Sequence, residues 1–318
     1  MVRYVMKRIL MLIPILLAVS FIVYFIIDLT PGDAVDAQYA ELSAEEKDEI
    51  RDQMGLNDPV IVRYGRYIWG ALHGDMGVST TYHEDALKIY FARLPATLEL
   101  AFWGILVAML IAVPFGILAA RKQNTLVDNG SMLFGLLGLS IPNFWLGLML
   151  IIWFSLNLKL LPSNGNESWK SIILPAITIG TSQAALLIRT TRSSMLEVIR
   201  QDYLNTARAK GAGEHNVIYQ HALSNALIPI ITAVGSQFTS SLGGAVITES
   251  VFAWPGVGRL IIDSINTRDE VMVVSSIMIT TMLSSIVIVF VDVLYALADP
   301  RIKARYSGKS SLFAKRGR

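Results

Sequence analysis

The sequence predicts an all-α, polytopic membrane protein with six transmembrane helices and both termini in the cytoplasm. Three observations carry that prediction. Of 318 residues, 53% are hydrophobic and only 16% charged, against about 25% charged in an ordinary soluble domain. The apolar residues come in long blocks, and roughly 20 of them suffice to cross hydrocarbon as a helix. Lys and Arg gather on alternate connections, the bias that sets orientation. The formal net charge of +2 gives no reason to expect nucleic-acid binding, and the lack of cysteine excludes disulfides, Cys-bound zinc and thiol catalysis.

The predicted spans are residues 9–27, 96–120, 132–154, 172–188, 226–247 and 271–298. The first follows Arg3, Lys7 and Arg8, as a signal peptide would. Its apolar run is longer than a usual signal core, and no small-x-small cleavage site follows, so it reads as a retained span. Pro14, Pro114, Pro142 and Pro175 fall inside or near span ends. Neighbouring helices and water can satisfy the backbone groups a proline frees, so they do not veto the spans. With the N-terminus inside, the cytoplasmic segments hold Arg121, Lys122, Arg189, Arg192, Arg200, Arg208, Lys210 and the basic tail, whereas the short outer loops hold only Lys159, Lys170, Arg259 and Arg268.

The chain divides into residues 1–95 (first span plus a long outer loop), 96–298 (five-helix core with a cytoplasmic loop, 189–225) and 299–318 (basic cytoplasmic tail). In the outer loop, Ser43-Ala-Glu45-Glu46 predicts a capping box opening a helix through about Met54, with Gly55 as its stop. Tyr64, Tyr67, Ile68 and Trp69 form an amphipathic stretch, followed by the turn-rich HGDMGVST. The segment reads as an ordered external cap, or as a contact for a soluble partner that delivers substrate.

In the cytoplasmic loop, Met195, Leu196, Ile199, Tyr203 and Leu204 recur on one face and predict a helix from 189 to about 210. Gly211 and Gly213 break it, and a second short helix is expected over 214–223. Composition alone allows an amphipathic linker at the membrane surface. The residues say more: YLNTARAKGAGEHNVIYQHALSNALIP resembles the cytoplasmic signature of ABC-importer permeases, E-A-A, three residues, Gly. Asn205-Thr206-Ala207 and Gly211 match its first part. Asn205 stands in place of the motif's Glu and Leu223-Ser224 in place of its Leu-Pro, which weakens any salt-bridge role for the first position. In order along the chain, RYVMKRILMLIPILLAVSFIVYFIIDLTPGD, MGLNDPVIVRYGRYIWGALHGDMGVST, RLPATLELA, LSIPNFWLGLML, ESVFAWPGVGRL and ALADPRIKAR are all similar to stretches of the B-type permease subunit of the dipeptide/oligopeptide/nickel branch.

The resemblance implies a type I importer fold in a prokaryotic cell membrane. It implies a related C-type permease, one or two kinds of ABC ATPase that bind ATP and Mg, an extracytoplasmic substrate-binding protein and a peptide substrate. Nickel complexes and sugars are alternatives within the family. It carries an ATPase-coupling role onto Asn205, Thr206, Ala207, Gly211, Ala212, Glu214, His215, Val217 and Tyr219. It also implies that the fifth span lines the path, nominating Ser236, Gln237, Thr239, Ser240 and Gly243; Asn143, Gln183 and Asp292 join them as polar candidates. No catalytic or metal site and no cofactor is expected in this chain.

The residues also weigh the alternatives. A P-loop needs backbone N–H groups cradling phosphates, and the nearest match, KARYSGKS, has Lys303 at the first Gly position. Energy must come from another chain or an ion gradient. An ion-coupled carrier would show internal repeats and paired broken helices; no clear repeat emerges. Glu99 lies near the outer end of the second span. Asp292 is the one deep carboxylate, sharing a face with Ser285 and Thr281, either as a hydrogen-bonded packing residue or as a proton relay. A membrane-embedded hydrolase would need a base at matching depth, and His73, His83, His215 and His221 all lie outside the spans without metal spacing. ESVFAWPGVGRL is too broken for a span and reads as a re-entrant or interfacial loop, with Phe252 and Trp254 as outer gate or aromatic anchors.

Overall fold

The structure is a computed structural model and describes residues 2–298. The basic tail, including Lys303 and Lys309, and the Asp292 side chain lie outside what it describes. Five helices are single apolar rods: α1 (Val2–Asp28), α5 (Ala86–Arg121), α8 (Ile173–Ile199), α11 (Leu223–Gly244) and α14 (Glu270–Ala298). Among the described residues the only β pairing is an isolated bridge between Val78 and Asp85.

The predicted third span, 132–154, is not one rod. Helix α6 (Leu126–Ser140) and helix α7 (Asn143–Leu150), which continues as a wide π turn over Ile151–Asn157, meet at 93°. The cause is local. Pro142 bars the helical conformation from the residue before it, and Ile141 is extended at φ −80°, ψ 123°. Here the proline does veto a straight span. Helix α5 opens ten residues before the predicted start, because the Asp85 carboxylate caps it by accepting from Lys88 N at 3.1 Å.

The core is the α5/α8 pair. A Cβ at Gly116 would stand 2.5 Å from Thr191 Cβ, and one at Gly180 would stand 2.7 Å from Val107 Cβ. Only glycine lets the two backbones approach this closely, as in small-residue packing of membrane helices. Helix α6 packs on α8, and α14 lies against both α1 and α11.

The segment after α1 folds into α2 (Ala34–Gln38), α3 (Ala44–Met54) and α4 (Val60–Leu72). Ser43 and Glu46 form the predicted capping box, and Gly55 ends α3 in the left-handed region at φ +68°. Helix α4 leans on the spans: the Tyr64 hydroxyl donates to Leu17 O at 3.0 Å, and the Tyr67 and Ser275 hydroxyls meet at 3.1 Å. Beyond it, the buried Asp269 carboxylate accepts from Ser79 Oγ and from Thr81 N, tying the turn-rich stretch to the start of α14.

Candidate functional site

The cytoplasmic loop differs from its sequence reading in two places. The helix expected through 210 stops at Ile199; Gln201 is extended at ψ 142°, and a separate helix, α9 (Asp202–Ala209), follows. The second short helix has no elbow at its far end. It starts as α10 (Glu214–Asn216), widens through a π turn over Val217–Ala222 and runs on into α11. The sequence reading makes 214–223 the short helix held by two elbows and projecting into a partner; in the structure the helix held that way is α9 instead. Its second elbow rests on Gly211, at φ +85°, a conformation glycine adopts without the Cβ penalty.

One side chain seats α9. Leu204 is fully buried against Met195, Val217, Ile218, Ala222 and Ala226, with Ile117 of α5 in the same cluster. Polar ties flank it: Asn225 Nδ2 donates to the Tyr203 hydroxyl at 3.0 Å, and Arg208 donates to both Glu214 carboxylate oxygens at 3.1 Å and to Asn205 Oδ1 at 3.1 Å. Neighbouring Glu214 holds the Arg208 guanidinium above its usual pKa.

The expected coupling residues thus fall into groups. Asn205, Thr206, Gly211, Glu214, His215 and Tyr219 are exposed; Arg208 joins Asn205 and Glu214 into one ledge, and the His215 and Tyr219 rings lie 4.6 Å apart. Ala207 and Ala212 are half-buried at its base. Val217, expected among the coupling residues, is fully buried in the Leu204 cluster, so its side chain packs the bundle and offers no surface to a partner.

At the other end of the bundle, the stretch expected as a re-entrant or interfacial loop folds as two short helices, α12 (Val246–Val251) and α13 (Val257–Asn266). Phe252 and Trp254 are not interfacial anchors, because both are fully buried. Trp254 Nε1 donates to Ala96 O at 2.8 Å, and Phe252 packs against Gly147 of α7. They fasten the loop from inside. Its organising group is Glu249, which sequence reasoning passed over. The carboxylate is fully buried and accepts from Thr97 Oγ1 at 2.8 Å and from Arg259 N at 3.0 Å. Gly256 packs so closely on it that a Cβ would lie 2.4 Å from the carboxyl group. A lone acid in an apolar stretch was the available signal; its partner 152 residues away was not.

The nominated path residues separate as well. Ser236, Ser240 and Gly243 form an open strip along α11, with nothing within 4 Å of a Cβ at Gly243. Gln237 and Asn143 are half-exposed. Thr239 is buried, donating to Gly235 O at 3.0 Å, and Gln183 is buried, donating to Ser241 Oγ across the α8/α11 contact.

Comparison with known proteins decides the family. Residues 112–304 match the family described as "Binding-protein-dependent transport system inner membrane component", and residues 1–101 match its N-terminal companion. The chain belongs to this family. It is 39% identical to the dipeptide transport system permease protein DppB of Alkalihalophilus pseudofirmus, over 95% of this chain and all of that one. It is 38% identical to the oligopeptide transport system permease protein AppB of Bacillus subtilis, with the same coverages. It is also 38% identical to the glutathione transport system permease protein GsiC of Salmonella paratyphi A, over 95% and 99%. In fold it is similar to the inward-facing MetNI methionine ABC transporter, with a TM-score of 0.56 at 18% identity, over 67% of this chain and 97% of that chain.

In this binding-protein-dependent transport component, a second feature near α9 escaped the sequence reading. Arg192 of α8 donates twice to Asp128 of α6, at 2.6 and 2.7 Å, and Asn124 N adds a third bond to that carboxylate at 2.9 Å. Asp128 is buried. Read from sequence, Arg192 was one more inside charge; in the structure it fixes the bent α6/α7 arm to α8.

Proposed function

We propose that this chain is the permease subunit of an ATP-driven importer that moves di- or oligopeptides across the inner membrane of a prokaryotic cell. A substrate-binding protein presents the peptide outside. A related C-type permease completes the path, and one or two kinds of ABC ATPase, holding ATP and Mg, drive it from the cytoplasm. The observation that carries this reading is α9: an eight-residue helix between two elbows, seated by Leu204, offering an exposed polar ledge. A helix this short has little stability alone, so its docking on the bundle makes it a unit that a partner can push. The names of the relatives support peptides as the cargo.

In this reading residues 189–225 are the coupling loop, both termini are cytoplasmic, and Arg121, Lys122, Arg200 and Lys210 mark the inner side. The exposed ledge residues meet the ATPase, and Ser236, Ser240 and Gly243 face the path. The test is a mild-detergent pull-down of the tagged chain from its native membrane. A second six-span chain with P-loop ATPases, and ATP hydrolysis stimulated by peptide-loaded binding protein, is the expected result. Recovery alone or as a homodimer, without an ATPase, would overturn it, and Asp292 would become the first residue to mutate for an ion-driven carrier.

A further inference from the structure

Helix α4 lies in a segment that its sequence position, between two spans, makes a loop. Its contacts place it lower. The apolar block of α1 ends at Asp28, which marks that end of the span. Arg63 of α4 reaches Asp28, while its guanidinium carbon sits 5.8 Å from the Tyr24 ring. The Tyr64 ring is 5.4 Å from Phe21 and 5.6 Å from Tyr24, and its hydroxyl bonds Leu17 O. Phe21 and Tyr24 lie seven and four residues before Asp28, which at 1.5 Å per residue is about 10 and 6 Å below that end of the span. On the other side, the Tyr67 hydroxyl reaches Ser275, five residues into α14.

Around the helix axis these side chains sort into three faces, the apolar one the widest. Tyr64 and Tyr67 pack on α1 and α14. Arg63 and Arg66 turn to the charged side, pairing with Asp28 and Asp58. The third face is Ile61, Val62, Trp69 and Leu72, within about 100° of one another at 3.6 residues per turn. It is uncovered: Ile61 is 70% exposed, Trp69 68% and Leu72 76%. The same stretch of α1 that α4 packs on also exposes Ile22, Phe25 and Ile26. An interfacial amphipathic helix sinks its apolar face about 5–10 Å into the boundary of headgroups and acyl chains, and tryptophan favours that level.

We infer that α4 is a membrane-embedded helix whose Ile61–Val62–Trp69–Leu72 face is covered by the acyl chains of the leaflet at the Asp28 end of α1. The occupant is lipid because α4 packs, through Tyr64 and Tyr67, on spanning helices at the level of Phe21, Tyr24 and Ser275, and its uncovered face is apolar, with the arginines on a separate face. The inference rests on the spans alone and not on the identity of the cargo.

The chain has no cysteine, so Trp69→Cys, Leu72→Cys and Arg66→Cys can each carry one nitroxide in the assembled complex, reconstituted in phosphatidylcholine/phosphatidylglycerol vesicles. At 69 and 72, collisions with O2 should exceed those with a water-soluble nickel chelate; at 66 the order should reverse. Chelate in excess at 69 and 72 would place the face in water. An immobilised spectrum reached by neither collider would mean that a protein partner covers it. Either result overturns the inference. Should labelling disturb assembly, brominated lipid gives the same answer: the Trp69 signal, taken as wild type minus Trp69→Phe, should be quenched, and an unquenched signal refutes it.

Discussion

Replacing Leu204 by alanine tests the idea that α9 is a driven unit. Leu204 is the only buried residue of α9, so nearly all its apolar anchorage sits on one side chain. Truncating a buried leucine costs about 2–5 kcal/mol, through lost burial and the cavity left behind. The remaining ties are exposed: the Tyr203 hydroxyl to His221 O at 3.3 Å, Asn225 to Tyr203, and Arg208 to Glu214. Each such bond contributes about 0.5–1.5 kcal/mol at best, so they do not replace the leucine. Local opening of α9 should therefore rise about 30-fold to several thousand-fold, read as lost amide protection over 202–209. Leu204→Met, which conserves volume, should cost under about 1.5 kcal/mol and largely preserve protection. In the assembled complex, peptide-stimulated ATP hydrolysis should fall with Leu204→Ala while basal hydrolysis by the ATPases persists. Unchanged protection over α9 would refute the single-anchor argument; unchanged stimulation with protection lost would refute the coupling role.

Three further outcomes follow from the same geometry. Arg192→Ala leaves the buried Asp128 carboxylate without its cation and should destabilise the chain by about 3–5 kcal/mol; adding Asp128→Leu should recover much of the loss in a thermal melt in detergent. Glu249→Ala strands the Thr97 hydroxyl and the Arg259 N–H, at about 1–3 kcal/mol each. The loss should appear as a lowered melting temperature in detergent, with Glu249→Gln, which keeps an acceptor oxygen, losing less. At Asp33, burial opposes ionisation, but donation from Arg51 at 2.6 Å and from Asp36 N outweighs it and lowers the pKa. Its contribution is present above the ordinary aspartate value of about 3.9 and lost as pH falls through the depressed value, so intrinsic-rate-corrected amide protection over 34–54 should drop on acidification below about pH 4.

Local chemistry was legible, whereas contacts between distant segments were not. The Ser43/Glu46 box and Gly55 gave α3 because a capping box and a left-handed stop are written within a dozen residues. The Gly211 elbow was read for the same reason. The break at Arg200–Gln201 was missed because neither residue is a breaker; the chain turns there so that Leu204 can reach the pocket between Met195 and Ile218. Hydrophobic periodicity ran straight through Ile141-Pro142, although the proline rule named the bend, because a membrane span was expected to absorb it. Val217 and Tyr219 look alike on a short amphipathic segment, and only the fold decides that one is core and the other surface. Glu249 and Trp254 draw their meaning from Thr97 and Ala96, about 150 residues earlier, and no spacing rule bridges that distance.

The two ends of the bundle are joined by one element. Helix α5 has 36 residues and is about 54 Å long at 1.5 Å per residue. Near its final turns, Ile117 and Ala120 belong to the cluster that seats Leu204. About 30 Å back along the helix, at 1.5 Å per residue, Ala96 O holds Trp254, Thr97 holds Glu249, and Leu100 packs with Trp254. A displacement of α9 would therefore act on the helix to which the α12/α13 loop is fastened. Pro95 and Pro114 both lie inside α5, and each removes one backbone bond; only Pro114 falls between the two fastenings, where a bend would absorb the push. Two residues on, Gly116 presses against Ile188 O and Thr191 of α8. A bend at Pro114 would drive that close contact apart or carry α8 with it. Because interiors are dense and yield little, α5 and α8 should move as a pair, so a push at α9 should reach the Trp254–Glu249 loop as a tilt of both helices; a change of bend at Pro114 between nucleotide states, read from spin-label distances along α5, would refute this.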